Sequence, residues 1–245
     1  MRGIRVNRRR FLITSATAAC ALTGGGIPGG VLGGFLAPRR AGAVTLEDAI
    51  ESLPNRGRSI FGSTEVASRS FKALPQWRRV LQRMQIEGPA LERCATTEEP
   101  CGRGPAQAWQ RIIDAAHGLE RTHKLRKVNQ YFNRWPYKED NEVYGMREYW
   151  ASPMEFLRRS GDCEDFAIAK FFALRQLGIA NEEMRVIILW DTIRAIGHAV
   201  LAVYEKDDIL VLDSLSSRIL SHWKYKQYVP QYSMNETTRW AHVKV

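Results

Sequence analysis

The order of hydropathy patterns along the chain predicts an α+β protein in which helices come first and an antiparallel sheet follows. Apolar residues recur at helical spacing between Trp77 and Phe132, and again after Asp162. Beyond Gly178 the pattern changes to β-branched runs at Met184–Trp190, Gly197–Tyr204 and Ile209–Asp213. Only Glu205-Lys206-Asp207-Asp208 separates the last two runs, a polar turn too short for anything but a hairpin. With 245 residues, no internal repeat and no linker after the N-terminal forty, the chain reads as one domain over residues 44–245 behind a leader at 1–43.

The leader accounts for the charge. The chain carries 36 basic and 26 acidic residues, but seven arginines and no acidic residue fall before position 44. Without them the balance is 29 to 26, which removes the case for a nucleic-acid partner. Asn7-Arg8-Arg9-Arg10-Phe11-Leu12 looks like a twin-arginine export signal, followed by a weakly apolar stretch and the small-x-small pattern Ala41-Gly42-Ala43. Cleavage after Ala43 is expected, giving a periplasmic product with no stable membrane insertion. An uncleaved anchor is the alternative, but the glycine-rich Gly24–Gly34 makes a poor spanning helix. Lipidation at Cys20 is another. In an exported protein, Cys94 and Cys101 read as a local disulfide closing a turn, worth about 2 kcal/mol on a chain-entropy argument. That leaves Cys163 as the odd thiol.

In chain order, Leu46, Ala49, Ile50 and Leu53 suggest a short helix ending at Pro54, and Phe61–Glu65 a loop. Trp77, Val80, Leu81 and Met84 form one face of an amphipathic helix whose other face is rich in arginine, a solvated surface in a chain of nearly balanced charge. Trp109, Ile112, Ile113 and Ala116 mark a helix ending at Gly118; Leu125, Val128, Tyr131 and Phe132 mark the next, stopped before Pro136. His117 and His123 fall at surface or boundary positions, and no His-Glu-x-x-His spacing occurs. Residues 136–162 read as loop, with Trp135, Tyr137, Tyr144, Tyr149 and Trp150 either lining a groove or anchoring the loop. Tyr225–Tyr232 reads as an edge segment broken by Pro230, and Trp240–Val245 as a terminal strand.

Ser160-Gly161-Asp162-Cys163-Glu164-Asp165 places that thiol between three carboxylates at a helix entry. The first turn's free amides and positive dipole end favour a thiolate. A lone Cys in a helix is equally compatible with packing, so the hairpin supplies the test. If the turn is centred between Glu205 and Lys206, Tyr204 faces Asp207 and His198 faces Asp213, on one face of the sheet. Cys163 as nucleophile, His198 as general base and Asp213 as the group that orients the imidazole then form a plausible set, provided the Cys163 helix packs across that face. A register slip of one residue would separate them.

These segments together carry a resemblance. Gly161–Lys170, Gly197–Leu201 and Val211–Leu215, with Phe61–Glu65, Trp77 and Trp150–Leu157, are similar to the bacterial transglutaminase-like cysteine proteinases, the family of the periplasmic LapG-type proteases. The resemblance implies a papain-like/transglutaminase-like fold and a thiol endopeptidase acting through Cys163, His198 and Asp213. It also implies calcium bound by the acidic residues flanking the nucleophile, here Asp162, Glu164 and Asp165; helix N-terminal charge complementarity is the other reading of these three. A polypeptide substrate is implied, in the family a large surface adhesin whose release controls biofilm attachment, and so is an inner-membrane cyclic-di-GMP receptor as partner. Papain-like enzymes place a polar oxyanion donor six residues before the nucleophile, where this chain has Leu157. Transglutaminase-type acyl transfer to an amine is the enzymatic alternative. A non-catalytic binding module is the alternative from another class, and it gives no chemical reason to keep the complete Cys, His and Asp set.

Overall fold

The computed structural model describes residues 59–96 and 103–244. The leader, the short helix expected at Leu46–Leu53 and the Cys101 half of the expected disulfide lie outside these residues.

Among the described residues are six α-helices and seven strands, which follow the predicted order except for the first strand: β1 (Ser63–Ser68), α1 (Pro75–Thr96), α2 (Pro105–Ala116), α3 (Arg121–Phe132), α4 (Asp140–Tyr144), α5 (Pro153–Arg159), α6 (Cys163–Gln176), then β2 (Met184–Asp191), β3 (Ile196–Tyr204), β4 (Ile209–Leu212), β5 (Leu220–Ser221), β6 (Tyr228–Met234) and β7 (Arg239–Lys244). The strands form a single antiparallel sheet in the order β1-β7-β6-β2-β3-β4-β5.

Strand alternation divides the core in two. Val186, Leu201, Val203, Leu212 and Met234 point to the helices, where they meet Trp77, Trp109, Phe132, Phe156 and the apolar surface of α6. Ile187, Leu189, Val200, Ala202, Tyr204, Ile209 and Val211 point the other way and are covered by Ile60, Phe61, Tyr225 and Tyr228. The central strands β2, β3 and β4 are thus buried on both faces. Helix α6 is buried nearly all round, from Asp165 to Leu174, which is why its sequence shows no clear polar stripe.

Four readings of the sequence are corrected. The segment at Phe61–Glu65 is a 3-10 turn (Ile60–Gly62) running into edge strand β1, which pairs with β7. Residues 136–162 contain α4 and α5; α5 starts with a capping box between Ser152 and Glu155 and with Pro153 at its first position. The Tyr225–Tyr232 segment is no edge: β6 lies between β7 and β2, and it accommodates Pro230 because the β2–β6 register shifts between Ile188 and Leu189. The β3–β4 hairpin pairs Tyr204 with Ile209 and Leu201 with Leu212, two residues out from the expected register. The slip is even, so His198 and Asp213 keep the same face, as diagonal rather than direct neighbours.

Candidate active site

The backbone ahead of α6 is held in an unusual shape. Ser160 closes α5 with φ 68° and ψ −168°, a region favoured by glycine alone and worth about 1–3 kcal/mol of strain. The Ser160 hydroxyl donates to the Pro136 carbonyl, and the Lys138 amide donates to the Gly161 carbonyl at 2.9 Å. Residues 136–138 are thereby tied alongside 160–161, with Tyr137 bridged to Gly161. Gly161 is required for contact: a Cβ there would lie 1.9 Å from Asp165 Oδ2. Asp162 caps α6 and Cys163 is its first residue.

Asp165 is buried, and both its oxygens accept backbone amides, from Ala151 at 2.6 Å and Asp162 at 3.3 Å. The three predicted carboxylates fall into two overlapping clusters. Asp162, Cys163 and Glu164 offer ligand atoms within 4.8 Å of one another, and so do Asp140, Asp162 and Asp165. Asp162 belongs to both sets. Asp140, read from the sequence as a loop residue, joins through its place at the start of α4. One buried oxygen each of Asp140 and Asp162 has no hydrogen-bond partner among the described residues. Burial, and then the charge of Glu164, pushes the Asp162 carboxyl up; burial does the same to Glu164 and Asp165. Crowded oxygens with no facing cation are a donor set that suits a hard divalent ion.

Opposite this helix start, His198 Nε2 lies 2.9 Å from Asp213 Oδ1, with both side chains buried. Burial works against the Asp213 charge, but the imidazole, the Leu215 amide (2.9 Å) and the Tyr228 hydroxyl (2.6 Å) outweigh it and hold its pKa below the ordinary carboxylate range. An ionised carboxylate can only accept, so the proton of the neutral imidazole sits on Nε2 and the Nδ1 lone pair is left open. Tyr228, on β6, is a partner of Asp213 that sequence reading missed. No local motif marks it, because β6 and the residue after β4 meet only through the folded sheet.

His198 is in step with Val200, Ala202 and Tyr204, on the face away from the helices, so α6 does not pack across the face that carries it. Instead the start of α6 reaches β3 at its edge, which β4 covers only from Leu201 onward. There the Ala199 backbone is near enough to favour the Cys163 thiolate, which puts the thiol in the neighbourhood of the residue next to His198. The thiol proton goes to Glu164 Oε2 at 3.2 Å. Burial, followed by the charges of Glu164 and Asp162, pushes the Cys163 thiol up, opposed by the Ala199 amide. In this arrangement the thiol donates its proton to a carboxylate.

A family model described as bacterial transglutaminase-like cysteine proteinase, BTLCP, matches residues 90–245. The chain belongs to this family. Among solved structures, Legionella pneumophila LapG is 32% identical over 62% of this chain and 84% of its own, with a TM-score of 0.54. Its calcium-bound form matches at 31% identity and a TM-score of 0.50, over 63% and 83% of the two chains. No curated protein matches. The bacterial transglutaminase-like proteinase described here is thus a LapG-like cysteine peptidase with an α+β papain-like fold. Among the described residues no helix is long and apolar enough to cross a membrane.

Proposed function

We propose that this proteinase is a periplasmic, calcium-dependent endopeptidase in which Cys163 is the nucleophile, His198 the general base and Asp213 the group that orients it. The observation that carries the reading is the 2.9 Å contact between His198 Nε2 and Asp213, with Cys163 beside Ala199 at the first position of α6. In acylation the thiol proton passes to His198 Nδ1 and sulfur bonds the peptide carbonyl carbon. The carbonyl electron pair moves to oxygen, where the Cys163 amide, unpaired at the helix start, can donate. Collapse breaks the C–N bond, and the imidazolium returns its proton to the departing amine. Water then attacks the thioester, His198 takes its proton, and the acid and the thiol are released.

The donor set around the nucleophile fits calcium, held by Asp162 and Glu164 with Asp165 or Asp140 behind them. A calcium-bound form of Legionella pneumophila LapG supports this choice of ion. When bound, the ion offsets the carboxylate charges that oppose a thiolate and competes with Cys163 for Glu164. The twin-arginine pattern supports export and removal of residues 1–43, and with export the Cys94–Cys101 disulfide. The resemblance to LapG-type proteases points to a large surface adhesin as substrate, cut near its N-terminus in the control of biofilm attachment, and to an inner-membrane cyclic-di-GMP receptor as regulator.

The test is incubation of the mature protein with N-terminal adhesin fragments, with calcium or a chelator, followed by N-terminal sequencing of the products. Cleavage at one site, abolished by Cys163→Ala and by the chelator, is expected. Cleavage that survives either change overturns the corresponding part of the reading, and amine incorporation in place of cleavage identifies acyl transfer.

A further inference from the structure

The Cys163 amide is one oxyanion donor, and a papain-like site needs a second. The position six residues before the nucleophile holds Leu157, which is buried in the helical core and has no donor to offer. What lies beside Cys163 instead is Tyr137. Its backbone is bridged to Gly161, and the neighbouring Lys138 amide bonds the Gly161 carbonyl at 2.9 Å. Its ring stacks on Phe166, one turn into α6, with centroids 6.2 Å apart and planes 15° from parallel. These contacts fix the ring at the helix start, and the residue is half exposed there. Cys163, Asp162, Glu139 and Glu164 are the ionisable groups near that hydroxyl. A phenol keeps its proton at neutral pH, so it can help an oxyanion by donating.

We propose that the Tyr137 hydroxyl is the second oxyanion donor, acting with the Cys163 amide on the tetrahedral intermediate. As sulfur bonds the carbonyl carbon and the thiol proton moves to His198 Nδ1, the displaced electron pair on oxygen accepts from the phenol O–H and the Cys163 N–H. Both donors keep their protons, and the oxygen returns its pair to carbon when the leaving group departs. The inference rests on the Cys163–His198 reading, and its test separates the two.

Acylation by p-nitrophenyl acetate passes through an oxyanion, whereas alkylation by iodoacetamide at the same sulfur does not. Both rates are measured at Cys163 by peptide mass mapping on the mature, calcium-loaded protein, for wild type, Tyr137→Phe and His198→Ala. Tyr137→Phe keeps the ring on Phe166 and removes only the hydroxyl. It is expected to slow acylation by about 10²-fold, the cost of one oxyanion donor, and to leave alkylation within about twofold. Unchanged acylation, or an equal fall in both rates, overturns the role of Tyr137. His198→Ala is expected to slow both; wild-type alkylation by that variant overturns the underlying triad instead. Circular dichroism and the melting temperature report whether Tyr137→Phe is folded. Should it not be, Tyr137→Trp, which keeps an aromatic ring and a donor, is expected to restore part of the acylation rate. Its failure to do so while folded counts against the proposal.

Discussion

Two histidines with buried side chains sit in the same sheet, three strands apart, and their surroundings make them different instruments. His242 on β7 lies between two hydroxyls, with Nδ1 2.7 Å from Ser63 Oγ and Nε2 2.8 Å from Ser233 Oγ. Ser63 donates its own proton to the Ile60 carbonyl at 2.9 Å, so it accepts from Nδ1–H, and Nε2 accepts from Ser233. Both nitrogens are used. Burial and the charge of Arg185 push the pKa of His242 down to about 4, and the ring stays neutral as a cross-link between β1, β7 and β6. His198 has a carboxylate on one nitrogen and, among the described residues, no hydrogen-bond partner on the other, at the stretch of β3 that β4 leaves uncovered. The residue type is the same; one unspent nitrogen at an open strand edge distinguishes the base from the brace.

The largest expected difference is in turnover. His198→Ala should lower peptide hydrolysis by about 10²–10⁴-fold, the range of a lost general base, and also lower the melting temperature, because buried Asp213 loses a partner. His242→Ala should leave hydrolysis near wild type and lower the unfolding free energy by about 1–3 kcal/mol, because two buried hydroxyls lose their partner. Urea titrations with activity assays at each step measure both, and a reversal of the two outcomes breaks the distinction.

Asp213→Asn tests whether the carboxylate sets the tautomer. An amide can offer its N–H to Nε2 and stabilise the proton on Nδ1, the nitrogen that must act as base, so kcat should fall by about 10²–10⁴-fold while KM holds. A variant within threefold of wild type would show that Asp213 is a neighbour only.

His242 contributes to the acid limb of stability. The unfolded imidazole titrates near 6.5 and the folded one near 4, so the unfolded state takes up a proton first as pH falls. Stability should therefore be full above about 6.5 and decline by about 3 kcal/mol on the way to 4. The difference between wild type and His242→Gln, followed by urea midpoint against pH, isolates this contribution. A difference that does not change with pH contradicts the neutral cross-link.

Smallest is Tyr228→Phe, which removes one hydrogen bond from Asp213 Oδ2. A loss of about 1 kcal/mol in stability and a several-fold fall in kcat are expected, read by the same titrations.

How much of this was legible in the sequence depends on whether the signal is local. The helix at Cys163 and the hairpin that pairs β3 with β4 are local, and the structure has both. The turn centre was misplaced by one residue, yet the face survived because the resulting register error was two. The capping box Ser152-Pro153-Met154-Glu155 was equally local, and the surrounding Gly, Pro and aromatic residues hid it. Asp140, Tyr228 and the bridge from Tyr137 to Gly161 join segments only in the fold, so no spacing rule reaches them. Lys170 illustrates the same limit: it resembles a polar residue on an amphipathic helix but is fully buried, with its pKa lowered to about 7 by burial, against the pull of Asp213. Edge strand β1 reads as loop because its partner, β7, lies at the other end of the chain.

The most direct measurement is the rate of iodoacetamide alkylation at Cys163 in calcium-loaded wild type, His198→Ala and His242→Ala, each confirmed folded. A His198–Cys163 pair predicts that His198→Ala is slowed by at least about tenfold and His242→Ala reacts like wild type. Wild-type reactivity in His198→Ala, or equal slowing in both variants, would contradict it.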